Sequence, residues 1–431
     1  MVKLQWLQVN KFRSVKPGTR LTFNAGHNVL LGQNGTGKTT LLNLIATSVR
    51  SDFTGFKDEE FDISYEWASD KASATVSVRN ESRSAIPSEL KSLSPLYSDV
   101  LASAGELRSP EMSLTAVFLE KSTGIQIKVD AKGKSGSVRR IDEPESEVSL
   151  ESFHSRIWVT MVSGLGEWLL SRGAPGLEDT VSNLMSLFLE AMTRRFDEAL
   201  EYFDRLGKYR LQLKQDDDGQ LSLSGDLGLN SDIFKEQLAA QATQKWAADR
   251  YILTDADLPF LRRTIQLLDF ESAEAIFELQ DSTRKETGGV MHLGGLRFYF
   301  QHRGGWRVSE KMLSYGQKRM LAFMHYVASA KSTIIADELV NGLHHEWIRA
   351  CFELLGERQV FLTSQNPLLL DYLSFESPVD VRSTFILCSR DRNSEQMVWE
   401  NMSQEAAEDF FDSYKVGFQQ VGELLQAKGL W

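Results

Sequence analysis

The chain has 431 residues, 42% hydrophobic and 25% charged, the makeup of a globular protein with room for two or three domain-sized units. No stretch approaches the ~20 consecutive apolar residues of a membrane span, and the opening Met1-Val2-Lys3-Leu4-Gln5-Trp6 carries no run like that of a signal peptide; a cytoplasmic protein without a membrane partner is expected. The formal net charge of −11 argues against a surface coated for non-specific nucleic-acid binding, and Cys351 and Cys388 stand too far apart for a disulfide framework or a zinc site.

Taken in chain order, Val2, Leu4 and Trp6 alternate, as do Leu21 and Phe23, and Val29-Leu30-Leu31 is a short apolar run ending at Gly32. A Gly-rich loop and a helix through Leu41, Leu42, Leu44 and Ile45 follow. Period two then dominates to about residue 140, with Phe61, Ile63, Tyr65 and Trp67 on one face, which predicts an antiparallel sheet. From Val181 to Leu206 apolar residues recur at three- and four-residue steps and predict one amphipathic helix of roughly 25 residues, about 40 Å long. A hairpin is expected between Leu211 and Leu223, a further helical stretch from about 232 to 285, and another hairpin from Leu296 to Val308 turning at Gly304-Gly305. The last third alternates helix and strand, an α/β layer.

Gly32-Gln33-Asn34-Gly35-Thr36-Gly37-Lys38-Thr39 fits G-x-x-x-x-G-K-[ST] between an apolar strand and a helix. Its glycines let successive N–H groups face phosphate oxygens at a helix N-terminus, and Thr40 falls in the same first turn. Lys38 is expected on the β- and γ-phosphates and the Thr39 hydroxyl on Mg²⁺. Ser332-Thr333-Ile334-Ile335-Ala336-Asp337-Glu338 reads as a buried strand delivering two carboxylates, Asp337 for Mg²⁺ and Glu338 to orient and deprotonate the attacking water. No guanine-reading Asn-Lys-x-Asp follows, so ATP is the expected nucleotide.

Leu313-Ser314-Tyr315-Gly316-Gln317 opens a helix shortly before the Walker-B strand. Here the sequence resembles the ABC-type ATPases, whose LSGGQ signature occupies this place. The resemblance implies that Ser314, Gly316 and Gln317 bind the γ-phosphate of ATP held by a second protomer, with Tyr315 replacing the first signature glycine. It implies that Asn341-Gly342-Leu343 is the D-loop at the dimer interface, and that Gln365, in Thr363-Ser364-Gln365-Asn366-Pro367, stands where relatives carry a switch histidine. Glutamine can bond a phosphate or a water but cannot carry a proton charge, so slow or partner-dependent hydrolysis is expected.

The stretch between Lys38 and Ser314 is far longer than a transporter's nucleotide-binding domain uses. The opening Leu7-Gln8-Val9-Asn10-Lys11-Phe12-Arg13-Ser14 resembles the heads of RecF, SMC and OLD-type ATPases, which makes Arg13 a phosphate or adenine contact. The implied fold is an α/β ABC-type P-loop head: lobe I with the phosphate loop and antiparallel sheet (1–150), a mainly helical insertion (151–290), and lobe II with signature, Walker B, D-loop and switch (291–431). Too few residues follow Gln365 for the Toprim nuclease domain of OLD proteins, so any nuclease belongs to a separate effector chain. Stand-alone ATPases of this shape resemble the ATPase subunits of anti-phage systems such as Septu and PARIS. By that analogy the chain is a homo-oligomeric ATP switch controlling an effector in defence; the alternatives are a RecF-like DNA repair clamp and a scaffold that binds ATP with negligible turnover.

Other features carry modest expectations. The Lys and Arg run from Lys121 to Arg140 makes DNA contact possible; Asp255 and Asp257 are expected to cap a helix; the adjacent His344 and His345 should diverge on a helix; and Phe410, Phe411, Tyr414 and Leu424 form an apolar C-terminal helix face.

Overall fold

A computed structural model describes residues 1–81, 111–132, 135–150, 157–172, 178–191, 194–203, 205–216, 218, 220–225, 232–284, 288–363, 366–417 and 419–430. They form two compact units: Met1–Thr193 with Arg358–Thr363 and Ser374–Trp431, and Arg194–Glu357 with Ser364–Leu373.

The first unit holds the expected antiparallel sheet, eight strands in the order Thr19–Thr22, Lys3–Phe12, Phe61–Ala68, Ala72–Glu81, Glu111–Glu120, Gln126–Lys132, Ser135–Arg140 and Glu143–Leu150. Alternation along Phe61–Ala68 buries Phe61, Ile63, Tyr65 and Trp67. Helix Glu178–Ala191 lies on that face, with Phe188 edge-on to Trp67 at 5.8 Å and tilted against Phe118 at 5.7 Å. In a second sheet His27–Leu31 runs parallel to Gln359–Thr363 on one side and Phe385–Arg390 on the other; the latter turns back as the antiparallel strand Met397–Asn401. A strand with parallel neighbours on both sides is expected to be apolar throughout, and the last four residues of His27–Leu31 are buried.

The fully buried Gln359 carboxamide links the two sheets of this unit. It donates to Leu4 O at 2.8 Å and Asn24 O at 2.9 Å and accepts from Leu4 N at 2.8 Å. The C-terminal aromatics are core, as their spacing indicated: Phe410 packs on Phe375 and Phe385.

The second unit is built on a sheet ordered Leu221–Gly225, Arg210–Gln215, Gly289–Gln301, Ser272–Arg284 and Arg250–Thr254, with Arg307–Ser309 also paired to Gly289–Gln301. Both expected hairpins are present. Three expectations are corrected. The single helix from 181 to 206 is two, Glu178–Ala191 and Phe196–Phe203. Long-range contacts mark the break: the Tyr326 hydroxyl donates to Arg194 O at 2.7 Å, and Arg195 forms a parallel bridge with Ile335. The stretch 232–285 is helix Asp232–Gln244, strand Arg250–Thr254, helix Pro259–Leu268 and strand Ser272–Arg284. Period two at Tyr251/Leu253 and Ala273/Ala275/Phe277, all buried, marks the strands. Asp255 and Asp257 do not cap a helix as expected: the N-cap of Pro259–Leu268 is Leu258, with no side-chain cap, while Asp257 accepts from Thr254 N at 2.8 Å and Asp255 from Ala273 N at 3.1 Å.

Among the described residues no helix is long and apolar enough to cross a membrane.

Candidate functional site

In the first unit the buried strand His27–Leu31 ends in the loop Gly32–Gly37, which enters the 13-residue helix Lys38–Arg50. The loop turns through Gly32, Gly35 and Gly37 at φ values of 142°, 82° and 87°, a region that side chains resist. Two of these glycines are also required sterically: a Cβ on Gly32 would lie 2.0 Å from Cys388 O, and one on Gly37 would lie 2.3 Å from Met397 Sδ. Gly37 is the N-cap and supplies no side-chain cap, and the first turn carries no acid. Such an end concentrates partial positive charge from unsatisfied N–H groups. The Lys38 ammonium curls over the loop, donating to Gly32 O at 2.6 Å and Gln33 O at 3.1 Å, and the Thr36 hydroxyl closes the turn on Gln33 O at 2.7 Å. Gln33, Asn34 and Gly35 are exposed. A cavity of about 740 Å³ opens beside the loop, lined by Gly32, Asn34, Thr36, Ser389, Arg390 and Arg392 among others. An uncapped helix end, a glycine cradle and a captive ammonium fit a polyphosphate. Burial pushes the Cys388 thiol up to about 12, against the counter-pull of Lys38, so it stays protonated beneath the loop.

Arg13 also has positive φ, 46°. Its guanidinium forms a fork with the Glu59 carboxylate, both contacts at 2.7 Å, and lies over Phe12 and Phe56. The hydrogen bond to Glu59 raises the Arg13 pKa and lowers that of Glu59. The expected nucleotide contact is therefore held by a carboxylate in this structure.

The second unit carries the other motifs. Ser314 is the N-cap of helix Tyr315–Ser329 in a reciprocal capping box: its hydroxyl accepts from Gln317 N at 3.3 Å, and the Gln317 carboxamide accepts from Ser314 N at 2.9 Å. Tyr315 is 64% exposed, and its ring edge lies 2.9 Å from where a Cβ on Gly342 would stand. Gly342, at φ 76°, is thus glycine for two reasons. Gly316 is confined in turn, since a Cβ there would meet Gly342 O at 3.0 Å and the Trp347 ring at 3.3 Å. The signature and the Asn341-Gly342-Leu343 segment are therefore packed on each other.

Strand Thr333–Ala336 is buried along its whole length and delivers Asp337 and Glu338. Glu338 adopts φ 47°, unusual for a side-chain-bearing residue. Two contacts hold it. Asn341 Nδ2 donates to Glu338 Oε2 at 3.0 Å, and the buried Arg319 donates to Glu338 O at 2.6 Å and Leu339 O at 3.1 Å. Arg319 also lies over the Phe196 ring at 5.1 Å. Sequence reasoning missed Arg319; its only signal was position in the signature helix, whose burial was not readable from spacing.

Gln365 lies outside the described residues. His344 and His345 do not diverge as expected: their rings are 4.2 Å apart, because His344 is the extended residue before helix His345–Leu355. Two residues of the basic run are locally paired, Lys128 with Asp130 at 2.8 Å and Arg140 with Asp142 and Glu143. No cluster of three or more metal-ligating side chains exists among the described residues.

The glycine loop and helix of the first unit and the acid-tipped buried strand of the second fall within the span of an AAA domain. Residues 28–371 match the family described as "AAA domain, putative AbiEii toxin, Type IV TA system", and the chain belongs to that family. No curated protein matches. Among solved structures it is similar to the SMC head domain from Thermotoga maritima, at 11% identity over 93% of this chain and 99% of that one with a TM-score of 0.39. It is similar to an Smc head domain with an extended coiled coil bound to the C-terminal domain of ScpA, derived from Pyrococcus furiosus, at 11% identity over 96% and 100% of the two chains (TM-score 0.37). A recombination mediator protein RecF aligns at 13% identity over 93% and 98% (TM-score 0.29).

Proposed function

We propose that the chain binds and hydrolyses ATP, and that nucleotide-dependent association of two copies switches a separate effector, nuclease-like, in bacterial anti-phage defence. The observation that carries this reading is the phosphate loop: three left-handed glycines, an uncapped helix N-terminus and Lys38 folded over the loop.

In this reading the loop N–H groups of Gly32–Thr40 cradle the phosphates and Lys38 exchanges its two carbonyl partners for phosphate oxygens. The Thr39 hydroxyl and the Asp337 carboxylate are the groups that would each offer an oxygen to Mg²⁺, and the ion would supply positive charge against the phosphates. Glu338 takes the proton of the attacking water while Asn341 and Arg319 fix its carboxylate and its backbone. Ser314, Gly316 and Gln317 reach a γ-phosphate on a second copy, and Gln365 bonds the same phosphate or its water. Arg13 joins the nucleotide by releasing Glu59.

The test is titration calorimetry with MgATP. Wild type binds; Lys38→Ala, which removes a charge-assisted phosphate contact, lowers affinity by about a hundredfold or more. Equal binding by both would refute the assignment of the loop. Turnover measured with and without the product of the neighbouring gene then separates an active switch from an ATP-bound scaffold, and ATP-dependent, salt-sensitive DNA binding would favour a repair clamp.

A further inference from the structure

The strand pair Phe385–Arg390 and Met397–Asn401 has no role in any motif above, yet it reaches the phosphate loop at four successive points. Arg390 donates to Gly35 O at 3.2 Å. Trp399 Nε1 donates to Thr36 O at 3.2 Å, from a ring that is only 2% exposed. Met397 Sδ occupies the space a Cβ on Gly37 would need, and Cys388 O does the same at Gly32. Met397 is itself fixed from the other direction, its N–H donating to Ser14 O at 2.8 Å and its carbonyl accepting from Lys16 N at 2.9 Å. The turn between the strands is closed by Asp391, whose carboxylate accepts from Asn393 N at 2.8 Å.

In a trans peptide the C=O and the following N–H point in opposite directions. A donor on Thr36 O therefore turns the Gly37 N–H away from Trp399, and a donor on Gly35 O turns the Thr36 N–H away from Arg390. A free glycine-rich loop samples many peptide orientations and loses that freedom when it binds. Here two consecutive peptides are held from one side before any ligand arrives.

We propose that this hairpin is a clasp that pre-sets the phosphate loop, with Trp399 and Arg390 as positioning residues that keep the Thr36 and Gly37 amides aimed at the phosphates. The inference rests on the nucleotide-binding reading above. Since Met397 also grips Ser14 and Lys16, the clasp ties the Phe12-Arg13-Ser14 segment to the loop. Pre-organisation of this kind improves ground-state binding and leaves the chemical step alone.

Trp399→Phe removes the donor together with part of a buried indole, so the urea midpoint falls as well. It is expected to weaken MgATP binding about fivefold, the worth of one net hydrogen bond, raising KM with kcat unchanged. Arg390→Met is expected to weaken binding about threefold, with Arg390→Lys restoring most of it. Wild-type KM in Trp399→Phe, or a lowered urea midpoint with KM unchanged, would overturn the clasp; if Lys38→Ala still abolished binding, the nucleotide reading would stand without it. A wild-type chain that binds no MgATP would remove both.

Discussion

The two helix N-termini that carry the motifs are finished in opposite ways. The phosphate-loop helix begins at Gly37, which offers no side chain to cap its first turn. The signature helix begins at Ser314, whose hydroxyl and reciprocal Gln317 already satisfy the equivalent positions, with Tyr315 standing over Gly342 beside them. An end that lacks a cap is ready for an anion; an end with a capping box must give up two hydrogen bonds to receive one. Under the proposed function this difference means that the loop would bind a nucleotide without giving up a cap, whereas engagement of Ser314 would cost one.

The sharpest way to break this division of labour is at the carboxylate the second unit supplies. Glu338→Gln is expected to lower turnover by about 10²- to 10⁴-fold with MgATP affinity retained. Steady-state phosphate release checks this, and wild-type turnover would remove Glu338 from the role of base. Ser314→Ala tests the capped end. As a structural cap alone it costs about 1 kcal/mol of stability. As a phosphate contact it also lowers turnover, by about tenfold, without changing MgATP affinity at the loop. A urea midpoint that drops while turnover stays at the wild-type rate would leave Ser314 an ordinary cap.

A smaller effect is acid sensitivity, which reaches both units through histidines whose pKa burial lowers, His27 in the first and His325 in the second. His325 is fully enclosed in the second unit by Phe203, Phe234 and Phe260, and burial pulls its pKa from 6.5 down to about 3. The folded state keeps the ring neutral while the unfolded chain takes a proton below pH 6.5. Its contribution to stability is complete above pH 6.5 and is lost as pH falls from there towards 3. His325→Phe is expected to flatten the fall in urea midpoint between pH 7 and pH 4; an unchanged slope would place the acid sensitivity elsewhere.

Much of this was legible in the sequence. The glycine loop between strand and helix, the buried strand ending at Asp337 and an antiparallel sheet before residue 140 were readable because strict spacing and period-two alternation report local geometry directly. The helix break at Arg194 was not, since it depends on Tyr326 and Ile335 more than a hundred residues away, and a helical pattern says nothing about a distant hydroxyl. The strands at Arg250–Thr254 and Ser272–Arg284 were misread because short runs bounded by helices satisfy both periods. Arg319, Trp399 and Met397 escaped for a related reason: each works through backbone atoms of the motifs, and backbone partners leave no trace in residue identity.

The first unit is assembled from three separated stretches, and its central strand His27–Leu31 is flanked by Gln359–Thr363 and Phe385–Arg390. During synthesis, at about 5–20 residues per second, a ribosome must therefore deliver the chain through Asn401 before the glycine loop has both of the strands that brace it. Residues 194–357 leave the ribosome ahead of that hairpin, so the signature helix can form while Gly32 still lacks its neighbour Cys388.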